Sequence, residues 1–211
     1  MTLKFAVAAS MLLAAQAQAV ETVHADRTPF RSSLGASVTD DYSNPAYVFI
    51  QSNVDMSAVL GETDYRSTAF EDANIVSSGV YCAGCNGSFT LSFGTTSVTQ
   101  GNGVFGVGFD YFNAGDPSYD ALVTFADGGT ELYTLELAAF NALSFWGLTS
   151  TRRISSIAFG PNGELSASGS FGIDNLTVGA IPEPTAWAML VIGVGVVGAA
   201  GRSRRFQAMM G

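Results

Sequence analysis

The only two cysteines of the chain, Cys82 and Cys85, are separated by two residues, a spacing that can serve redox or metal chemistry. A C-x-x-C pair that opens a helix after a strand exchanges thiols and disulfides, and two such pairs bind zinc. Here an Asn-Gly turn signal and a strand-like run follow the pair, and no second pair or histidine cluster supplies further ligands. In an oxidising compartment the pattern predicts a small disulfide that closes a turn. A redox role is the alternative.

Nucleophilic catalysis of the Ser-His-Asp or Cys-His kind would have to use His24, the only histidine of the sequence. We expect the N-terminal stretch around it to be frayed, so this chemistry is not predicted. A pair of carboxylates could still hydrolyse a glycosidic bond, because the distance between the two groups in space decides the reaction. No local motif singles out such a pair. The sequence therefore predicts a protein that is not an enzyme, with a polysaccharide hydrolase as the alternative.

The charge of residues 20–180, which we call the body, restricts the kinds of ligand that the protein can bind. Between residues 20 and 180 there are 17 Asp and Glu but only five Arg and no Lys, which leaves a formal net charge of −12. Such a surface repels phosphate backbones and excludes nucleic acid as a partner. Divalent cations are better candidates. The simpler alternative is that the carboxylates keep an exported protein soluble.

The N-terminus has the features of a cleaved secretion signal. Lys4 supplies the positive charge, an apolar run follows, and Ala17 and Ala19 are the small residues that a signal peptidase requires before the cut. We therefore predict residues 1–19 to be a signal peptide, helical before its removal, and Val20 to be the mature N-terminus. A buried N-terminal helix is the alternative.

Behind the signal, alternating apolar residues predict β-strands. The run from residue 103 to residue 113 places four large side chains on one face and small or acidic residues on the other. The large ones are Phe105, Val107, Phe109 and Tyr111, and the others are Gly106, Gly108 and Asp110. A hairpin is predicted around Asp127-Gly128-Gly129, because glycines tolerate the positive φ of tight turns.

About eight such strands, with turn signals roughly every 8–12 residues, predict the fold class. Residues 20–180 are expected to form one all-β domain, an antiparallel two-sheet sandwich of the jelly-roll type. The segment 52–73 fits either a loop or a short helix.

The C-terminal segment begins with two prolines around a glutamate. Its distinguishing residues are Pro182, Glu183, Pro184, Trp187, Arg202, Arg204 and Arg205, with an apolar, glycine-containing run before the arginines. In this order they resemble the PEP-CTERM sorting signal of Gram-negative exported proteins. The resemblance implies recognition by an exosortase, a membrane peptidase that cuts near Pro-Glu-Pro and passes the body to the cell surface. It also implies an association with exopolysaccharide and biofilm formation.

The physical chemistry of this segment agrees with a membrane-bound precursor. Residues 186–201 would span roughly 24 Å as an apolar helix, against a hydrocarbon core of about 30 Å. The arginines behind the run hold that end in the cytoplasm while the body is exported. We therefore expect a precursor in the inner membrane and a mature protein at the cell surface or outside the cell. A permanent C-terminal anchor is the alternative, and residues 206–211 form a short tail.

The last predicted strand of the body, FGIDNLTV, resembles the closing strand of carbohydrate-binding-type jelly rolls. In such modules an Asp of the last strand often helps to hold a structural calcium ion, and Asp174 is the matching position. Calcium takes six to eight oxygen ligands, and Asp40 and Asp41 could supply some of them. Alternation of inward residues breaks at the Asp-Asn step, which predicts a bulge near Asp174. The alternative is that Asp174 and Asn175 only cap a strand turn.

The same resemblance suggests a role for two neighbouring aromatic residues, Phe145 and Trp146. In such modules exposed rings stack on sugars, whereas consecutive aromatics beside a glycine also serve as core plugs. The sequence as a whole predicts an exported, non-catalytic protein of the cell surface or extracellular matrix. Its candidate ligand is a glycan, and its candidate cofactor is calcium.

Overall fold

The structure is a computed structural model that describes residues 19–68, 73–83, 88–113, 119–136, 143–161 and 171–181. Within these ranges the chain forms twelve antiparallel β-strands and two short α-helices. The elements are β1 (Glu21–His24), α1 (Arg27–Ser33), β2 (Ser37–Asp40), β3 (Ile50–Gln51), α2 (Asn53–Ala58), β4 (Asp64–Ser67), β5 (Asn74–Ser77), β6 (Val80–Cys82), β7 (Phe89–Ser92), β8 (Val104–Asn113), β9 (Tyr119–Phe125), β10 (Thr130–Leu135), β11 (Ser144–Pro161) and β12 (Phe171–Gly179). The predicted all-β sandwich is confirmed, and the predicted terminal helices lie outside the described residues.

Strand β11 joins the two halves of the sandwich. Its first part, residues 144–149, pairs with β8, and β1 lies on its other side. Its second part, residues 154–161, pairs with β9, and β7 lies on the other side there. One half of the curled sheet therefore contains β1, β11, β8, β12 and β2, and the other contains β10, β9, β11, β7 and β4.

Aromatic side chains fill the space between the halves. Phe109 of β8 lies 5.4 Å from Phe159 of β11, measured between ring centroids. Phe171 of β12 stacks on Tyr119 of β9 at 4.2 Å. These rings are almost completely buried, and edge-to-face or stacked contacts of this kind stabilise a core beyond the burial of their area.

Both predictions about local strand structure can be compared with the sheet. The hairpin is confirmed: β9 and β10 pair from Thr130 opposite Thr124, with Gly128 at a φ of 87° in the turn. The predicted inward face of β8 is correct for Val107, Phe109 and Tyr111. It is wrong for Phe105, which is only half-buried beneath the guanidinium of Arg153.

The glycine face of β8 is covered by helix α1. A Cβ atom at Gly108 would lie 2.8 Å from ring atoms of Phe30 and Phe145, and one at Gly147 would lie 2.9 Å from Phe30. Phe30 is consequently fully buried on this floor. Leu34 makes the same kind of contact over Gly106. The helix thus closes a sheet face that the alternation pattern left open.

The segment that the sequence left undecided contains both a helix and a strand. Helix α2 begins after Ser52, whose hydroxyl accepts a hydrogen bond from the backbone N–H of Asp55 at 3.1 Å. Strand β4 follows and pairs with β7. Among the helices in the described ranges, neither is long and apolar enough to cross a membrane.

Candidate functional site

An open groove of about 690 Å³ lies where β1, β8, β10 and β11 meet. We call it the groove. Its twelve lining residues are Val23, His24, Ala25, Asp26, Tyr111, Thr134, Leu135, Glu136, Leu143, Ser144, Phe145 and Trp146. These residues come from four separate parts of the sequence, and the pairing of β11 with both β8 and β1 brings three of those parts together.

The floor of the groove is aromatic. Trp146 is 6% exposed and Tyr111 is 5% exposed, so little of either ring is accessible from the groove. The indole packs against Phe109 at 5.4 Å and against Tyr133 at 5.6 Å. Trp146 is therefore chiefly a core plug, which is one of the two roles that the sequence allowed.

Phe145 has different surroundings, because successive residues of a strand point to opposite faces. Its ring packs against Phe30 at 5.5 Å, and the guanidinium carbon of Arg27 lies 5.2 Å from the ring centroid. The side chain is half-buried. Phe145 and Trp146 therefore border one groove without forming a single stacking surface.

The wall formed by β1 is ordered, contrary to the expectation of a frayed N-terminus. His24 is the last residue of β1 and lies opposite Gly147 of β11. Its Nε2 atom is 3.0 Å from the hydroxyl of Thr149, and its ring packs edge-on against Phe30. Burial lowers the pKa of His24, so the ring is neutral at neutral pH.

Two exposed carboxylates stand at the rim, Asp26 from the β1–α1 connection and Glu136 at the end of β10. Burial raises the pKa of Tyr111, and the negative charge of Glu136 raises it further. The Tyr111 hydroxyl therefore stays protonated at neutral pH and can donate a hydrogen bond. Ser144 adds a second hydroxyl to the lining.

The expected calcium residue, Asp174, lies opposite Asp110 in the pairing of β12 with β8. The expected bulge is present: the register shifts after Asp174, and Asn175 has a φ of 52°. The Asn175 amide donates to Asp110 at 3.0 Å, and the guanidinium of Arg27 forms an ion pair with the same carboxylate. Burial raises the pKa of Asp174, and the charge of Asp110 adds to the rise.

The other two residues expected at calcium have partners of their own. Asp40 is 8% exposed and accepts hydrogen bonds from the Tyr47 hydroxyl, from the Tyr65 hydroxyl at 3.2 Å and from the Tyr42 backbone N–H at 3.0 Å. Asp41 is exposed and accepts from Ser43. In the described part of the chain no group of three or more His, Cys, Asp or Glu could hold a metal ion. Calcium at Asp174 stays a prediction.

The remaining predicted residues lie largely outside the described ranges. Cys82 is buried at the end of β6, and because Cys85 is not among the described residues the disulfide stays a prediction. Ala17 and residues 182–205 are outside as well. Ala19 is described and exposed, and the backbone N–H of Val20 donates to the Thr151 hydroxyl at 3.0 Å. Cleavage after Ala19 stays a prediction.

Sequence reasoning missed most of the groove. It named Phe145 and Trp146 as candidates for glycan binding, but gave no such role to Asp26, Tyr111 or Glu136. These residues are brought together only by pairing between distant strands, and no spacing along the chain signals that pairing.

Comparisons with known proteins find a match to the C-terminal motif and several solved structures of low similarity. Residues 180–205 match the PEP-CTERM protein-sorting motif. A family 29 carbohydrate-binding module, CBM29-2, is similar at 13% identity and a TM-score of 0.43, covering 71% of this chain and 99% of that one. A mutant of CBM29-2 complexed with cellulohexaose is similar at 13% identity and a TM-score of 0.40, covering 69% of this chain and 92% of that one. A family 11 carbohydrate-binding module of a Clostridium thermocellum cellulase is similar at 12% identity and a TM-score of 0.27, covering 58% and 84%.

These structural likenesses concern the fold alone. No curated protein sequence matches the chain. The chain therefore combines an antiparallel β-sandwich body with a PEP-CTERM protein-sorting motif at residues 180–205, a motif of exported proteins.

Proposed function

We propose that this protein is exported, is sorted through its C-terminal motif and binds a glycan in the groove without cleaving it. In this proposal residues 1–19 are the signal peptide, residues 20–180 the binding domain, residues 181–205 the sorting segment and residues 206–211 a tail. The precursor is held in the inner membrane, where an exosortase-type peptidase processes it. The body then reaches the cell surface or the extracellular polysaccharide.

The observation that carries glycan binding is the composition of the groove. A sugar ring has apolar C–H faces and a rim of hydroxyl groups. For the apolar faces the groove offers the exposed side chain of Leu143 and the small accessible parts of Trp146 and Tyr111, and for the hydroxyl rim it offers carboxylates and hydroxyls. Its volume of about 690 Å³ falls within the ~300–1,000 Å³ of ordinary small-ligand sites.

A hydrolase is the second candidate, because the groove contains two carboxylates, Asp26 and Glu136. Glycosidases need one such group as an acid and the other as a base or nucleophile. Release of reducing ends from a bound oligosaccharide, lost in Glu136→Gln, would favour this function over simple binding.

Glycan binding is tested with a variant in which a large side chain occupies part of the groove. Ala25 is an exposed lining residue, so Ala25→Trp adds a large ring to the lining of the groove. The full chain is purified in a polyoxyethylene detergent, which carries no sugar headgroup, and is applied to an array of immobilised hexasaccharides. We expect binding of at least one neutral hexasaccharide, and at least a tenfold loss of affinity in Ala25→Trp.

The matched control is Ala46→Trp, which changes an exposed alanine that does not line the groove. Both variants should keep the melting temperature of the unmodified chain, and the control should keep its affinity. Equal binding by both variants would show that the glycan binds elsewhere. Failure of the unmodified chain to bind any hexasaccharide would overturn the proposed function.

A further inference from the structure

We propose that the groove prefers a glycan that carries positive charge, namely a polymer of amino sugars with free ammonium groups. This inference rests on the proposed glycan binding and names the class of sugar that the same groove would take. It predicts the order of affinity amino sugar, then neutral sugar, then uronic acid.

The lining of the groove is itself negatively charged. Asp26 and Glu136 are both exposed, so their carboxylates are available to a ligand. None of the twelve lining residues is Lys or Arg. An ammonium group on a bound sugar would therefore meet negative charge and no competing cation from the lining.

The lining contains one histidine, His24. The ring of His24 contacts the Thr149 hydroxyl and the ring of Phe30, and burial lowers its pKa. It therefore adds no positive charge at neutral pH that could offset the carboxylates.

Arg27 follows Asp26 in the chain, and its guanidinium lies over the ring of Phe145. Its guanidinium is committed to the carboxylate of Asp110 and also lies 3.5 Å from the carbonyl oxygen of Asn175. Because the carboxylate of Asp110 balances the charge of Arg27, this arginine leaves the negative charge of Asp26 and Glu136 uncompensated.

The net charge of the whole body acts at longer range. Residues 20–180 carry 17 Asp and Glu against five Arg, and Arg152 is held by carboxylates of Glu21, Asp127 and Glu131. The surplus attracts polycations and repels polyuronic acids at distances up to about 10 Å at 0.1 M salt. The field of the whole body and the local charge of the groove therefore have the same sign.

The experiment measures three hexasaccharides by calorimetry on the full chain in the same detergent. They are the hexamer of glucosamine, the hexamer of N-acetylglucosamine and the hexamer of galacturonic acid. The first two differ only in whether the nitrogen is acetylated. The measurement is made slightly below neutral pH, where a large fraction of the free amines of the glucosamine hexamer is protonated.

At about 10 mM salt we expect the glucosamine hexamer to bind roughly three- to tenfold more tightly than its acetylated form, because each exposed ion pair contributes modestly. At about 0.5 M salt the difference should fall below twofold. Asp26→Asn and Glu136→Gln should each lower the ratio of the two affinities at low salt, because each removes a negative charge that only the amine form can pair with.

The matched control is Asp55→Asn on α2, which removes one exposed negative charge outside the groove and should keep the preference. If the acetylated hexamer binds and the amine form binds no more tightly, the inference fails while the proposed function stands. If the preference persists in both groove variants, the amine is recognised elsewhere and the inference also fails. If no hexamer binds, the proposed function itself is lost.

Discussion

At the scale of the single residue, Asp40 shows how the body keeps a carboxyl group in its interior. Three groups donate hydrogen bonds to it: the hydroxyls of Tyr47 and Tyr65 and the backbone N–H of Tyr42. Burial is the largest influence and raises the pKa of Asp40, although these hydrogen bonds lower it in part. The ionised form is therefore less favourable in the folded chain than in the unfolded one.

This imbalance predicts a pH dependence. In the unfolded chain Asp40 ionises near its ordinary pKa of 3.8, and in the folded chain only at higher pH. The contribution of Asp40 to the free energy of unfolding is therefore greatest below pH 3.8 and falls as the pH rises through the folded pKa. Asp40→Asn removes the ionisation, so its stability relative to the unmodified chain should increase over that range. Urea unfolding measured from acid to neutral pH tests this.

Asp40→Ala serves as the contrasting variant. It leaves two tyrosine hydroxyls and a backbone N–H without their acceptor, and we expect a loss of about 1–3 kcal/mol at neutral pH. A difference between the Asn variant and the unmodified chain that stays constant with pH would contradict the assignment.

Single residues were predicted well where a local pattern decides their surroundings. The bulge at Asp174 follows from a break in the alternation of β12, and Trp146 follows from its place beside a glycine. His24 was misjudged, because the strand that orders it has its partner more than a hundred residues away in the sequence. The carboxylate of Asp110 forms an ion pair with Arg27, and no pattern in the sequence predicts this contact.

At the scale of the element, helix α1 and the glycines beneath it form one packing unit. The helix has only seven residues and contains a proline, so the sequence shows no helical periodicity from which α1 could be predicted. What fixes it is the fit of Phe30 and Leu34 against strands that lack side chains at the contact. The strands with clean alternation, such as β8 and β9, were predictable, whereas α1 depends on its tertiary contacts.

This packing predicts that Gly108→Ala destabilises the body. The added Cβ would lie 2.8 Å from atoms of Phe30 and Phe145, and the fully buried ring of Phe30 cannot move away freely in a close-packed site. We expect a loss of about 1–3 kcal/mol in the free energy of unfolding, measured in urea.

Gly94→Ala is the matched control, because a Cβ there has nothing within 4 Å. Its stability should change little or rise by about 0.4–1 kcal/mol through the lower entropy of the unfolded chain. If both variants lose the same stability, the fit of Phe30 onto Gly108 is not what holds α1.

At the scale of the whole molecule, the body and its C-terminal segment raise separate questions. The order of residues was sufficient to predict the C-terminal sorting motif, since such a motif is recognised as linear sequence. The groove was not predictable in this way, because it exists only after four distant stretches have paired and packed.

Sorting and simple anchoring can be separated by Glu183→Gln. An anchor depends on apolar length and flanking charge, so loss of this carboxylate should hardly affect it, whereas a peptidase that reads Pro-Glu-Pro should be sensitive. We expect Glu183→Gln to accumulate in the native host as an unprocessed, membrane-bound precursor. Fractionation and intact mass measure this, and Glu164→Gln outside the motif is the control. A mature unmodified protein that still contains Arg202–Gly211 would contradict sorting by cleavage.

The pairing of β1 with β11 and of β2 with β12 has a consequence for the time at which the body can fold. The contact between His24 and Thr149 joins residues 125 apart in sequence, and that between Thr39 and Thr177 joins residues 138 apart. Contacts of such long range make folding slow, because the chain must close large loops before it gains their stabilisation. A chain that crosses a membrane from its N-terminus delivers β1 and β2 first, and both must wait for their partners. Only when Gly179 has emerged can β12 dock against β2, so the edges of the early strands remain open to chaperones, or to aggregation, until export is almost complete.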